Sequence, residues 1–426
     1  MRISTLLATT MAFGLTAFTV GPQASAKSPA TCNTPTTPFC SSTVPPPAGW
    51  KGPLFKLSQA YPKVAPKDVQ PWLRFDPMTE PDAYLRSVLE YFYEGNIRET
   101  ERSFDPAKNT VRGWYNAPWM DFTPNGREPI HGLTRELASV PFQIAPGQTK
   151  VWNNYAIGFY NAPGGVAIGR VWSDHGQPDA SKSLMPEGTV SAKLLFTTAP
   201  ISEVPFLAGS PEWTAYVYKN DQDGSIEPDP KSPRLLQNLR LLQIDIAVKD
   251  KRAKATGWVF GTFVYGGGID GPPGRGWRNV APVGVMWGND PGYDGTGSLK
   301  ESWINPKVRL QHLGYQNRLN GPVDNPASSC LSCHSTAESP IQYNLAPGPK
   351  TPAKDIANWF RNVPAGTPFD PGATSLDYSL QLAFGIANFQ KARTLSAVSD
   401  PTAKAVIQKK IDEQSRFPPR SGKATQ

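Results

Sequence analysis

The chain has 426 residues, with 45 prolines, 37 glycines, four cysteines, four histidines and a formal net charge of +8. So much proline and glycine, with 18% charged residues, argues against a helical bundle and for a loop-rich fold. The basic excess suits an acidic docking partner or plain solubility, and no stretch interleaves basic and aromatic residues as nucleic-acid binding requires.

In chain order, the first feature is an export signal. Arg2 supplies a positive charge, Leu6 to Val20 an apolar run, and Ala24-Ser25-Ala26 a small-residue cleavage site. The run is too short to span a bilayer, no cysteine follows the cut to carry a lipid, and no later run reads as a membrane helix. The expectation is residues 1–26 as signal peptide, cleavage after Ala26, and a periplasmic protein whose charge drops by one, to +7, with Arg2. Residues 27–70 are rich in Pro, Ser and Thr and read as irregular. Cys32 and Cys40 lie within them, and an oxidising compartment favours a local disulfide between the two.

Pro81 to Glu94 places Leu85, Val88, Leu89 and Phe92 at helical spacing behind a proline suited to a first turn. The period then changes. Tyr155–Phe159 and Val166–Val171 flank Ala162-Pro163-Gly164-Gly165, which reads as a hairpin. Thr189–Phe196, Trp213–Tyr218, Leu239–Val248 and Gly257–Tyr265 read as strands, with Lys249 to Lys254 a solvated turn between the last two and Val280–Trp287 a further strand. Gly266 to Gly271 matches G-x-G-x-x-G, but Pro272 and Pro273 follow where a dinucleotide site needs a helix, so the match reads as a loop. Ala353–Arg361, Ser379–Arg393 and Thr402–Glu413 read as helices. The expected fold is mainly β, an antiparallel sheet with helical N- and C-terminal additions. Residues 71–345 form a β-rich domain that carries the Cys-x-x-Cys-His motif taken up next, and 346–426 a helical extension.

Cys330-Leu331-Ser332-Cys333-His334 is the attachment motif of a c-type haem. Two thiols, two residues apart, add across the two vinyl groups of one haem, and the histidine that follows offers its imidazole to the iron. The rival readings are a redox dithiol and half a zinc site, the latter needing a second ligand pair that Cys32 and Cys40 do not supply. No methionine or histidine follows His334, so the arrangement of small helical cytochromes, with a downstream methionine as second axial ligand, is excluded within this chain. A strong sixth ligand must come from Met78, Met120, Met185, Met286, His131, His175 or His312. Met286, nearest the motif among methionines, and His312, just before the loop that delivers the cysteines, are the foremost candidates, with His131 behind them. An open or water-bound position is the alternative.

Two further segments carry a family resemblance. Met185-Pro186-Glu187-Gly188-Thr189-Val190-Ser191-Ala192-Lys193 is similar to the P-[DE]-G-T-x-x-x-K strand of the cytochrome P-460 and β-sheet cytochrome c-prime family. Ile246 to Asp250 followed by Thr256 to Gly261 resembles that family's V-K-D … T-G-G-W-G-[FY] hairpin. The resemblance covers roughly Val151 to Ser339 and implies an antiparallel β fold and a histidine-ligated haem with an open distal face. It implies nitric oxide or carbon monoxide binding in some members, and in others hydroxylamine oxidation through a haem-linked lysine. Lys193 lies in the matching strand. The long segment from Gly266 to Ser329 departs from the family pattern.

The leading expectation is an exported monohaem c-type cytochrome that passes single electrons to a redox partner protein. A five-coordinate haem enzyme or gas binder acting on small nitrogen species is the alternative, with the haem as a docking element of a larger assembly a third. No G-x-S-x-G or H-E-x-x-H motif supports a hydrolase.

Overall fold

In the computed structural model of this chain, the residues described are 39, 45–55, 58–97, 103–121, 127–219, 232–266, 276–308, 313–348 and 351–414. The signal peptide, Cys32, Cys40, the glycine run after Gly266 and His312 lie outside them. The elements are α1 (Pro81–Tyr93), β1 (Thr134–Arg135), β2 (Asn154–Tyr160), α2 (Ala162–Val171), β3 (Val190–Thr197), β4 (Glu212–Tyr218), β5 (Arg234–Lys249), β6 (Trp258–Tyr265), β7 (Val280–Met286) and β8 (Ser302–Ile304). They continue as α3 (Cys330–His334), β9 (Glu338–Ser339), α4 (Ala353–Ile356), β10 (Thr374–Ser375), α5 (Leu380–Ser396) and α6 (Pro401–Gln414).

The class is mainly β, as the strand periodicity implies. An eight-stranded antiparallel sheet runs in the order β1-β2-β3-β5-β6-β7-β8, with β4 paired to the N-terminal half of β5. β5 is long enough, at 16 residues, to pair with β4 at one end and β3 at the other. Its period of two sorts side chains onto opposite faces. Ile244, Ile246 and Val248 enter one core with Leu194 of β3 and Leu85, Val88 and Phe92 of α1. Gly261 of β6 allows α1 to lie this close, since a Cβ there would stand 2.3 Å from Leu85 Cδ1.

The opposite face carries Lys193 and Asp245, directly paired across β3 and β5, and the aromatic rings of Trp258 and Phe260. A second core covers part of it, built from Ile168 and Val171 of α2, Leu331 of α3, and Leu382 and Ile386 of α5. The C-terminal segment expected as a helical extension therefore contributes to the interior. β10 pairs with β9, and Leu376 N bonds to Ala337 O at 2.8 Å.

Two local expectations are corrected. Val166–Val171 is helical, not the second strand of a hairpin. Asn161 caps α2 by accepting from Gly164 N, and Pro163 sits in its first turn, so the Pro-Gly-Gly run starts a helix. Val166, Ala167, Ile168 and Val171 are then buried along it. The helix expected over Ala353–Arg361 is only α4, continued by a 3-10 turn through Trp359.

Candidate haem-binding site

The five-residue motif is one helical turn, α3, and its start is fixed by its own side chains. Ser329 Oγ accepts from Ser332 N at 3.1 Å while Ser332 Oγ accepts from Ser329 N at 2.8 Å, a reciprocal cap. Ser329 Oγ also donates to Asn289 Oδ1 at 3.1 Å, and Cys330 N bonds to Leu319 O at 3.1 Å. Leu331, fully buried, plugs the turn into the second core. Residues three and four apart share a helix face, so Cys330, Cys333 and His334 all open onto one cavity of about 440 Å³ above the sheet.

His334 is held from two sides. Its Nδ1 lies 2.9 Å from the carbonyl oxygen of Tyr378, which can only accept, so the proton sits on Nδ1 and the lone pair on Nε2. Its ring packs on Phe260 with centroids 4.7 Å apart. Burial pushes the imidazole down to about 4, so it is neutral at physiological pH, the form that ligates a metal. The carbonyl is positioned by an unusual backbone: Asp377 and Tyr378 have φ of 47° and 67°. The Asp377 carboxylate pins that bend, accepting from Lys249 Nζ at 2.7 and 2.8 Å, Trp258 Nε1 at 3.1 Å and Met185 N at 2.8 Å.

Both thiols are free. Burial raises Cys333 to about 12 and Cys330 well above its usual value, so neither is a thiolate poised for nucleophilic attack. Thr262 Oγ1 stands 3.8 Å from Cys330 Sγ. Among the described residues no group of three or more His, Cys, Asp or Glu side chains converges to hold a metal ion, so the second half of a zinc site is not formed there.

Beside the thiols, the cavity wall carries a charged cluster. Lys193 Nζ is 3.1 Å from Asp245 and 4.0 Å from Asp324, with Glu136 in its field. Burial opposes the ammonium charge, but the carboxylates outweigh it and raise Lys193 well above its usual value. Burial also raises Glu136 and Asp245. Glu136 and Asp245 therefore retain protons more readily than isolated carboxyls.

At the far end stands Arg127, only 2% exposed. Its Nη2 donates to Ala117 O at 3.0 Å, while Nε and Nη1 are buried with no hydrogen-bond partner among the described residues. Burial lowers this guanidinium to about 10.

Of the distal candidates, Met286 is fully buried in β7 beside Phe260 on β6 and does not line the cavity. His131 stacks on Trp213 at 4.3 Å, away from the cavity. Met185 is buried in the second core, while Met78 and His175 are exposed. Met120 does line the cavity, and apart from His334 it is the one methionine or histidine among the described residues to do so. Motif reading missed Arg127, Glu136, Asp245, Asp324 and Tyr378. Asp245 alone left a trace, as an acid inside the apolar run of β5. Compared with known proteins, the chain matches no family model, no curated protein and no solved structure.

Proposed function

We propose that this chain is an exported monohaem c-type cytochrome, holding one haem c through thioether bonds to Cys330 and Cys333 with His334 as axial ligand. The observation that carries the reading is the convergence of two neutral thiols and a neutral imidazole, its Nδ1 already committed to Tyr378 O, on one face of α3. The orphaned nitrogens of Arg127, in the wall of the same cavity, fit an anionic cofactor. The bound haem would supply one-electron Fe(III)/Fe(II) chemistry. The chain's own part is positional. Thr262 flanks Cys330, Phe260 and Tyr378 fix the plane and tautomer of the imidazole, and Leu331 seats the turn. Export through residues 1–26 into the periplasm and a soluble redox partner belong to the same proposal. No helix of the described residues is long and apolar enough to cross a membrane.

The test is covalent haem retention in a denaturing gel stained for haem. Wild-type protein, produced in a host that attaches haem c, should carry the stain. Cys330→Ala with Cys333→Ala should lose it, and retention in the double variant overturns the reading.

One observation favours a second reading, a haem with an open face that binds or transforms a small nitrogen species. The Lys193, Glu136, Asp245 and Asp324 cluster lines the same cavity, and the raised Glu136 and Asp245 carboxyls can hold and release protons there. Carbon monoxide added to the reduced protein separates the two. A prompt Soret shift in wild type supports the open face. A shift that appears only in Met120→Ala identifies a firmly held sixth ligand and plain electron transfer.

A further inference from the structure

The cavity has a long axis, and the sheet measures it. Thr262, beside Cys330, is paired with Asp245, Asp245 with Lys193, and Lys193 with Gly158, so one row of residues crosses β6, β5, β3 and β2. Three interstrand steps of about 4.8 Å make this row roughly 14 Å long. That is comparable with a haem measured from its vinyl edge to its propionate carboxylates. The row ends at Gly158, whose carbonyl accepts from Asn116 Nδ2 at 2.9 Å. The next residue, Ala117, holds Arg127 by its Nη2. A guanidinium with two uncommitted buried nitrogens therefore lines the end of the cavity opposite the thiols.

An unpaired buried guanidinium is costly, and a carboxylate, which accepts its fork of N–H groups in pairs, is its natural counter-ion. The Lys193 ammonium is already taken by Asp245 and Asp324. Among the described residues, the other charged or titratable groups in the field of Arg127 are Tyr61 and Asp121, and neither satisfies Nε or Nη1. Resting on the haem reading above, we propose that Arg127 is the anchor of a haem propionate. The thioethers fix one edge of the cofactor and the Arg127 guanidinium the opposite edge.

The test uses the full chain loaded with haem, as wild type, Arg127→Gln and Arg127→Lys. All three should retain covalent haem, since the cysteines hold it; a wild type without haem overturns the haem reading itself, and this proposal with it. Losing the guanidinium leaves a propionate charge uncompensated, which favours ferric iron. At pH 8 the Gln variant should lose about threefold to tenfold in electron affinity, roughly 30–60 mV at 59 mV per tenfold for one electron. Its potential should also gain a pH-dependent step absent from the parent, while Arg127→Lys stays within about twofold of the parent. A Gln variant that keeps its haem, its potential and the parental pH profile overturns the proposal, whatever its thermal stability. The wild-type protein gives a reading independent of any variant. With haem labelled at the propionate carboxyl carbons, infrared difference spectra should show one propionate still ionised at a pH where the other is protonated. Two propionates titrating together also overturn it.

Discussion

Replacing Asp377 by Asn removes one charge from a buried ion pair. The Asp377 side chain is 0% exposed and its partner Lys249 is 9% exposed. The carboxylate accepts four hydrogen bonds, two from Lys249 and one each from Trp258 and Met185 N. Breaking a buried pair from one side costs about 3–5 kcal/mol, because the remaining charge stays buried. Lys249 has an escape, which sets a ceiling. Shedding its proton at pH 7, from about 10.4 for a free lysine, costs about 4.6 kcal/mol at about 1.36 kcal/mol per pH unit. Burial already lowers Lys249, with Asp377 opposing, and the substitution removes that opposition.

The sign of the pH dependence follows. In the variant, folded Lys249 binds fewer protons than the unfolded chain, so stability rises with pH and the deficit shrinks between pH 7 and the lysine's unfolded value. Urea unfolding followed by tryptophan fluorescence, with Trp258 itself in the network, measures both effects. Adding Lys249→Met should recover much of the loss, since an apolar replacement leaves no stranded charge. A deficit below about 1 kcal/mol, or one that does not change between pH 7 and 9.5, refutes the argument.

Other outcomes are expected on the same grounds. Burial would raise the Asp250 carboxyl, but its bonds to Arg252 at 2.6–3.2 Å and to Tyr84 at 3.0 Å outweigh this and hold it below the usual value. Its contribution is therefore present above the unfolded carboxylate value near 4 and lost as pH falls through the depressed one. Arg252→Ala should cost about 1–3 kcal/mol at neutral pH and move the acid-unfolding midpoint, followed by circular dichroism, to higher pH; an unmoved midpoint counts against it. At Gly284 of β7 an added Cβ would meet the carbonyl oxygen of Trp303 on the neighbouring strand, a backbone atom that cannot swing aside, so Gly284→Ala should lose about 1–3 kcal/mol by overpacking. An unchanged thermal-unfolding midpoint would remove that contact as a constraint. Leu331→Ala should cost about 2–5 kcal/mol, read from urea unfolding, because the side chain that seats α3 is wholly buried.

The sheet was legible because its strands carry the pattern in themselves. β3, β4, β6 and β7 end within a residue or two of where β-branched and aromatic residues give way to turns. β5 runs further than its apolar core, since Arg234 to Asn238 hold their places by pairing with β4, information absent from the segment alone. Val166–Val171 misled because short apolar stretches read alike as strand or helix, and the deciding contact is the Asn161 cap. In the site, Cys330, Cys333 and His334 were readable because their chemistry is local. Tyr378 was not, because what it supplies is a backbone carbonyl from 44 residues downstream. Lys193 and Asp245 face each other only once the register of β3 on β5 is known, and Arg127 is notable only for the partners it lacks.

The cavity borrows part of its wall from α5, through Leu380, Gln381 and Phe384. Any molecule resting against that wall binds the docked helix and not the undocked one, so by mass action it stabilises the docking of α5. Amide-exchange protection and protease resistance along Leu380–Ser396 should then track filling of the cavity, even where the occupant has no colour. Helix α5 would act as a gauge of occupancy, readable at a distance from the thiols and the imidazole.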